Sequence, residues 1–308
     1  MSTPGVEKLS ENVLLPPSVF SDPQCTMWST DTSFCHRRHT ASSRAAQVLP
    51  LSLRAAHTYV RPYGLSDVSQ SPAINYEGVS KNVTAVGFQE DGKWMFTGGE
   101  DCTAKIWDLR SRNLQISRIF QVSAPVNCAC LHPNQAELFV GDASGVIHIW
   151  DVKTEHNEQL IPEPDASIQS IAIDPEGTYM AAVNNKGKVY VWRLSGGTAD
   201  NRITLTPTRS IVAHSKYALK VKFSPDSTML VTSSADRTAK IWKTADFSQM
   251  TELRDPGQQW VWDVAFSADS QHIITGTRYR KLYILALSGL KRVYYGEEYI
   301  ESGDVLFS

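Results

Sequence analysis

His214, Thr232 and Asp236 stand close together in the chain and bring a base, a hydroxyl and a carboxylate, with Trp242 just beyond them. Two chemistries use such a set. In a hydrolase the hydroxyl attacks, the imidazole carries its proton and the acid orients the imidazole. In a structural relay the indole N–H donates to Thr232, the Thr232 hydroxyl to one ring nitrogen of His214, and the other ring N–H to Asp236, so that every polar group is paired. The hydroxyl lies mid-strand beneath a tryptophan, with neither a strand-to-helix elbow nor oxyanion donors to expose it, and the relay is the favoured reading.

The elements that must position these residues repeat. The segment "GGEDCTAKIWDLRS" (98–111) has counterparts in "GDASGVIHIWDVKT" (141–154), "NNKGKVYVWRLSGG" (184–197) and "SSADRTAKIWKTAD" (233–246). Each is a small polar turn followed by an alternating run that ends at tryptophan. Trp107, Trp150, Trp192 and Trp242 are separated by 43, 42 and 50 residues, and a period of about 40–45 residues with four strands per unit marks a β-propeller blade. In the first unit the strands read "VTAVGF", "WMFTGG" and "TAKIWD", with a looser fourth around "RIFQV" (118–122). First-strand and turn patterns recur at 126–138, 168–180, 218–230 and 261–273, which gives about five readable units in an all-β chain. The fifth has Leu285 where tryptophan is expected, and only its first two strands read clearly.

The 308-residue chain is 42% hydrophobic and carries 30 Lys+Arg against 32 Asp+Glu. That balance supports a sizeable core and gives no global field for nucleic acid or an anionic membrane, so proteins are the expected partners. No apolar run approaches the ~18 residues of a spanning helix and the N-terminal stretch lacks a signal pattern; a cytoplasmic location is expected. Cys25, Cys35, Cys102, Cys128 and Cys130 are scattered and read as reduced thiols. Cys25, Cys35, His36 and His39 match no zinc spacing, and Gly98-Gly99 and Gly196-Gly197 lack the setting of a phosphate loop. No metal, cofactor or enzymatic activity is expected.

Residues 1–75 carry no repeat unit, contain no lysine after Lys8, and differ in composition from the remainder of the chain; 286–308 are equally pattern-free. The expected organisation is an unassigned, disordered or aberrant segment over 1–75, propeller blades over 76–285 and an irregular tail over 286–308.

Three stretches, "NYEGVSKNVTAVGFQEDGKWMFTGGEDCTAKIWDLRSRNLQ" (75–115), "APVNCACLHPNQAELFVGDASGVIHIWDVKTEHNEQLIPEPD" (124–165) and "AHSKYALKVKFSPDSTMLVTSSADRTAKIWK" (213–243), closely resemble the WD-repeat subunits shared by the target-of-rapamycin (TOR) kinase complexes, a family also called G-protein-beta-subunit-like. The likeness runs from about Asn75 to Thr277, and phrases such as "CLHPNQAEL" and "HNEQLIPEPD" are far more specific than a generic WD signature. It implies a WD-repeat β-propeller, seven-bladed in the family, without catalytic activity. It further implies a scaffold that binds and stabilises the TOR kinase catalytic domain in both complexes, meets other TOR complex subunits indirectly, supports nutrient and growth signalling, and reaches endomembrane surfaces through the complex. In such repeats the positions of His214, Thr232, Asp236 and Trp242 form the buried relay. Thr97, Asp101 and Trp107 fill three of those places in the first unit, with Val79 in place of histidine, while the second and third units carry Ser144 and Lys186 in place of aspartate. Two blades expected before residue 75 and the second half of the last are not readable.

Matching the first strands places Asn82, Pro125, Ser167, Tyr217 and Trp260 at one position, just before the strand, at the rim of one face. Trp260 offers a large apolar area with one donor, which suits an interface anchor, and the family presents the first tryptophan of this pair to the kinase. Packing of "WVW" (260–262) between blades is the alternative. Tyr217, Asn82 and the turn residue Glu100 are further candidates for partner binding. Two rival functions stand beside the scaffold. A generic WD adaptor in another complex, such as a ubiquitin ligase, would need a further module that 1–75 does not display. A hydrolase built on His214 and Asp236 would need an open pocket around Thr232.

Overall fold

A computed structural model describes residues 31–32, 51–56, 59–64, 80–110, 116–197, 202–254, 259–277, 281–287 and 291–297. Short alternating runs separated by Asp, Gly, Pro and Ser turns fold into five sheets, each holding four consecutive strands in hairpin order. The first blade pairs Val83–Phe88, Trp94–Gly99, Thr103–Asp108 and Ile116–Gln121. The second holds Val126–Leu131, Glu137–Asp142, Ile147–Asp151 and Asn157–Leu160; the third Ile168–Ile173, Tyr179–Asn184, Lys188–Ser195 and Thr204–Val212. The fourth holds Ala218–Phe223, Met229–Ser234, Thr238–Lys243 and Gln249–Arg254, and the fifth Val261–Phe266, His272–Thr277, Lys281–Ala286 and Lys291–Glu297. First strands of successive blades adjoin, which is propeller architecture.

The core lies between blades. Because strand side chains alternate, each sheet sends one apolar set forward and one back. Phe96, Ala104 and Ile106 of the first blade pack with Leu138, Val140 and Trp150 of the second. Phe139 and Ile147 meet Ile168, Met180 and Trp192; Val183 and Val189 meet Val221, Leu230 and Trp242. Every repeat tryptophan in these seams therefore faces the preceding blade. In the last seam Val231 and Ile241 meet Val261, Ile273 and Leu285, so the leucine occupies the tryptophan's place.

One irregularity recurs at the same point in all five blades. The pairing of first and second strands slips between Val83 and Ala85, Val126 and Cys128, Ile168 and Ser170, Ala218 and Lys220, and Val261 and Asp263. Thr84, Asn127, Gln169, Leu219 and Trp262 are thus β-bulge residues, and a bulge re-aims its side chain away from the ladder. Two of them cross the seam to the next blade. Thr84 Oγ1 donates to Val126 O at 2.6 Å, and Asn127 Nδ2 to Ile168 O at 2.8 Å.

Two boundaries differ from the sequence reading. Blades were expected to end at 285 and to give way to an irregular tail, yet Lys291–Glu297 pairs with Lys281–Ala286 and completes the fifth sheet. A backbone ladder needs no repeat tryptophan, and the buried Leu285 is apolar enough to hold the third strand in the core. Within 1–75, Leu51–Ala56 forms a hairpin with Tyr59–Gly64, and Asp31–Thr32 pairs parallel with Val83–Phe88, so strands occur where disorder was expected. The rest of that segment, like 298–308, lies outside the described residues.

Candidate functional site

The fourth blade brings His214, Thr232, Asp236 and Trp242 together. Thr232 and Trp242 face each other from neighbouring strands, since Leu230 pairs with Trp242 two residues away. Trp242 Nε1 donates to Thr232 Oγ1 at 3.1 Å, Thr232 Oγ1 lies 2.9 Å from His214 Nε2, and His214 Nδ1 lies 3.0 Å from Asp236 Oδ2. An indole N–H can only donate, so the threonine proton is left for Nε2, and Nδ1 carries the proton that Asp236 accepts. His214 comes from the connection between blades, and it fits there because Gly187, at φ +78°, leaves room: a Cβ at 187 would stand 2.3 Å from His214 O. Burial pushes the Asp236 carboxyl up, but bonds from His214, Thr238 and Ser215 N outweigh it and hold the group well below the usual carboxylate range.

The same turn pins the start of the next element. Ser215 N donates to Asp236 Oδ2 at 3.1 Å, and Tyr217 O accepts from Ser234 Oγ at 2.8 Å and Ala235 N at 2.9 Å. Four bonds therefore tie His214, Ser215 and Tyr217 to residues 234–236.

Elsewhere the relay is rebuilt with other groups. In the first blade Trp107 Nε1 donates to Thr97 Oγ1 at 2.9 Å, and Asp101 binds Lys105 Nζ at 2.6 Å with both side chains only 7% exposed. Lys105 projects from the third strand and supplies to its acid the donor that His214 gives in the fourth blade. Burial raises the Asp101 carboxyl, and the bonds from Lys105 and Thr103 outweigh that and lower it. In the second blade Asp142 and His148 pair at 3.0 Å, both buried, with Ser144 Oγ donating to the same carboxylate at 2.7 Å. In the third, Glu163 accepts from Tyr190 Oη at 2.7 Å and Lys188 Nζ at 3.0 Å. Those two bonds hold its carboxyl down at about 2.

Lys105, Asp142, His148 and Glu163 were missed from the sequence. The signal was present as a period-two relation: Lys105 and His148 each lie two residues before the repeat tryptophan, and so share its strand face. Val79, and the cysteines and histidines of 25–39, lie outside the described residues. Among the described residues no group of three or more His, Cys, Asp or Glu is placed to hold a metal ion, and no helix is long and apolar enough to cross a membrane.

The rim position is equivalent in four blades by geometry. Asn82 O, Pro125 O, Ser167 O and Tyr217 O each accept from the residue just after the second strand, namely Glu100, Ala143, Asn185 and Ala235. Asn82 and Glu100 are thereby neighbours, the first exposed and the second half-buried. Trp260 precedes the fifth blade's first strand, is half-buried, and stacks on Trp262 with ring centroids 5.6 Å apart. Trp262, treated in the sequence reading only as part of "WVW", is the more open of the two at 41% exposed, and Tyr217 is 54% exposed.

Two more large apolar side chains lie at this end of the blades. Val212 (76% exposed) pairs opposite Lys188, and Ile161 (55%) follows Leu160, which pairs opposite Ile147; both partners begin third strands. Among the described residues, the turns at the opposite end carry no exposed large apolar side chain. The remaining two lie within fourth strands, Ile119 in the middle of its strand and Met250 toward the opposite end.

The WD domain, G-beta repeat model matches residues 70–108, 115–151, 205–243 and 248–284. The "Target of rapamycin complex subunit LST8" of Mus musculus is 53% identical over 274 residues, covering 85% of this chain and 83% of that protein. The "Protein LST8 homolog" of Drosophila melanogaster is 47% identical over 252 residues, 79% of this chain and 80% of that protein. The "Target of rapamycin complex subunit LST8" of Saccharomyces cerevisiae is 37% identical over 244 residues, 77% and 79% respectively.

Proposed function

The chain belongs to the LST8 family of WD-repeat proteins, and on that premise we propose that it is a scaffold subunit of target-of-rapamycin complexes that docks on the TOR kinase domain and stabilises it. The observation that carries this reading is the exposure of Tyr217, Trp262, Val212 and Ile161 at the same end of the blades, with Trp260 stacked on Trp262. Exposed apolar side chains gathered on one face mark a protein-binding surface, and aromatic residues dominate the binding energy of such surfaces. Trp260, Tyr217, Asn82 and Glu100 are the contact residues, joined by Trp262.

The relays serve the fold. The Thr232 hydroxyl is fully buried and engaged by both Trp242 and His214, so it has no path to a substrate, and we assign the chain no catalytic role. The names of the relatives give no support to an adaptor in a ubiquitin ligase.

Co-purification of the TOR kinase domain with this chain and with its Trp260→Glu form tests the docking face. The substitution removes an anchor and places a charge in a desolvated contact, a loss of ~2–4 kcal/mol for a hot spot and well over tenfold in affinity. The melting temperature should stay close to that of the unaltered chain. Equal recovery of kinase with both forms would remove Trp260 from the interface.

A further inference from the structure

The five bulge residues divide into two chemistries. Thr84 and Asn127 donate across their seams to the carbonyl of the residue just before the next bulge, Val126 O and Ile168 O. Asn127 Nδ2 also reaches Ser167 Oγ at 2.9 Å, where Gln169 Nε2 arrives at 3.1 Å, which knits the rim of the second and third blades. At the next seam the tie moves one residue along, with Val221 N donating to Ser170 Oγ at 3.4 Å. At the last seam Leu219 holds the Thr84 position and Val261 O the acceptor position. Leucine has no proton to donate. Leu219 is half-buried there, and the bulge residue of the following blade is the exposed Trp262.

The polar clasp is thus replaced by an apolar seat at the place where Tyr217, Trp260 and Trp262 gather. The segment beside it is basic, since from His214 to Phe223 the chain carries Lys216, Lys220 and Lys222 and no acid. Of the acids nearby, Asp236 is already engaged by His214, Thr238 and Ser215, and Asp263 follows Trp262.

We propose that the bound kinase segment completes the seam between the fourth and fifth blades, by setting an apolar side chain over Leu219 and Trp262 with a carboxylate beside it toward Lys216. This rests on the docking reading above and deepens it. In the free chain the seam lacks the hydrogen bond that Thr84 and Asn127 give their own seams. In the complex the partner's side chain covers both bulge residues and excludes water from them. Docking and the cohesion of the fifth blade are then one equilibrium, because a partner that binds only the closed seam stabilises it.

Hydrogen exchange on the full-length chain, free and with the purified TOR kinase domain, tests the coupling. The expected result is slower exchange in the partner-bound state throughout Val261–Phe266 and His272–Thr277, strands that lie behind the rim as well as on it. Leu219→Asn supplies the donor that Asn127 provides at its own seam. It should slow exchange of those strands in the free chain and weaken kinase binding by about tenfold or more. Trp262→Thr, a second test that leaves the fourth blade untouched, should also weaken binding.

Unaltered binding by both variants, alongside loss of binding in Trp260→Glu, would overturn the seat while leaving the docking face in place. Fifth-blade exchange that the kinase leaves unchanged would overturn the coupling. Failure of the unaltered chain to bind kinase would overturn this proposal and the docking reading together.

Discussion

The first and fourth blades solve one problem with different parts. Each buries an indole N–H against a threonine and an aspartate in the turn beside it, and each must give that acid a partner. The first blade takes Lys105 from its own third strand; the fourth takes His214 from the connection that leads into it. The lysine closes a bond within one hairpin. The histidine ties the turn to the chain segment that ends at Tyr217, so in the fourth blade a stabilising relay also fixes a residue of the proposed docking face. A buried acid dictates that a counter-group exist, and the source of that group decides whether the bond reaches function.

The largest expected effect lies in the first blade. Asp101→Asn leaves the Lys105 ammonium buried without its acid, and breaking such a pair costs about 3 kcal/mol, the lower end for buried pairs because this one lies at a turn. Chemical denaturation of the variant checks it. A change below ~1 kcal/mol would mean that Lys105 reaches water easily, and the two blades would no longer share a problem.

His214→Ala comes next, at about 2 kcal/mol, since it leaves Thr232 and Asp236 without their ring partners. It should also lower kinase recovery, by loosening 214–217, whereas Lys105→Met should lower stability without that loss. Equal kinase recovery from the two variants, measured at a temperature where both remain folded, would show that the relay's link to Tyr217 carries no functional weight.

Acid should narrow the difference between native and altered forms. Asp101, Asp142 and Asp236 all have carboxyls lowered in the fold, against burial that alone would raise them, by their lysine, histidine and hydroxyl partners. A group lowered in the fold contributes stability that is complete above its unfolded value, about 3.9 for aspartate, and is lost as pH falls through the folded value. Denaturation midpoints of the unaltered chain should therefore drop below about pH 4. Those of Asp236→Asn should drop less steeply, so that the two curves approach each other. Parallel curves would mean that Asp236 contributes through packing alone.

The legible part of the molecule is the part that repeats. The blade order and the Thr232 relay are written in residue types at fixed spacing, and a 43-residue step between Trp107 and Trp150 is visible without a structure. Lys105, His148 and Glu163 were not, because the partner of a buried polar group is chosen by proximity in the fold and its residue type changes from blade to blade. The same holds for the bulges: Thr84, Asn127, Gln169, Leu219 and Trp262 share a backbone irregularity and no common side chain. Leu285 misled for the converse reason. Its strand lost the signature residue while keeping the apolar face that the core needs.

The smallest effect gives the sharpest form of the comparison. Thr275 in the fifth blade stands where Thr232 stands in the fourth: Ile273 pairs with Leu285 as Leu230 pairs with Trp242, and each threonine lies two residues further on. Both threonines are buried, but leucine has no N–H to give Thr275, whereas Thr232 is bound by an indole and an imidazole. Removing the hydroxyl at 232 strands two partners; removing it at 275 strands no tryptophan. Thr232→Val should therefore cost ~1–3 kcal/mol and Thr275→Val less than ~1 kcal/mol. At roughly 2–4 °C per kcal/mol for a domain of this size, melting curves of the two variants separate these outcomes. Equal losses would mean that the threonine stabilises its blade without the tryptophan, and the relay would then have to be credited to the hydroxyl and the strand rather than to the chain of bonds from Trp242 to Asp236.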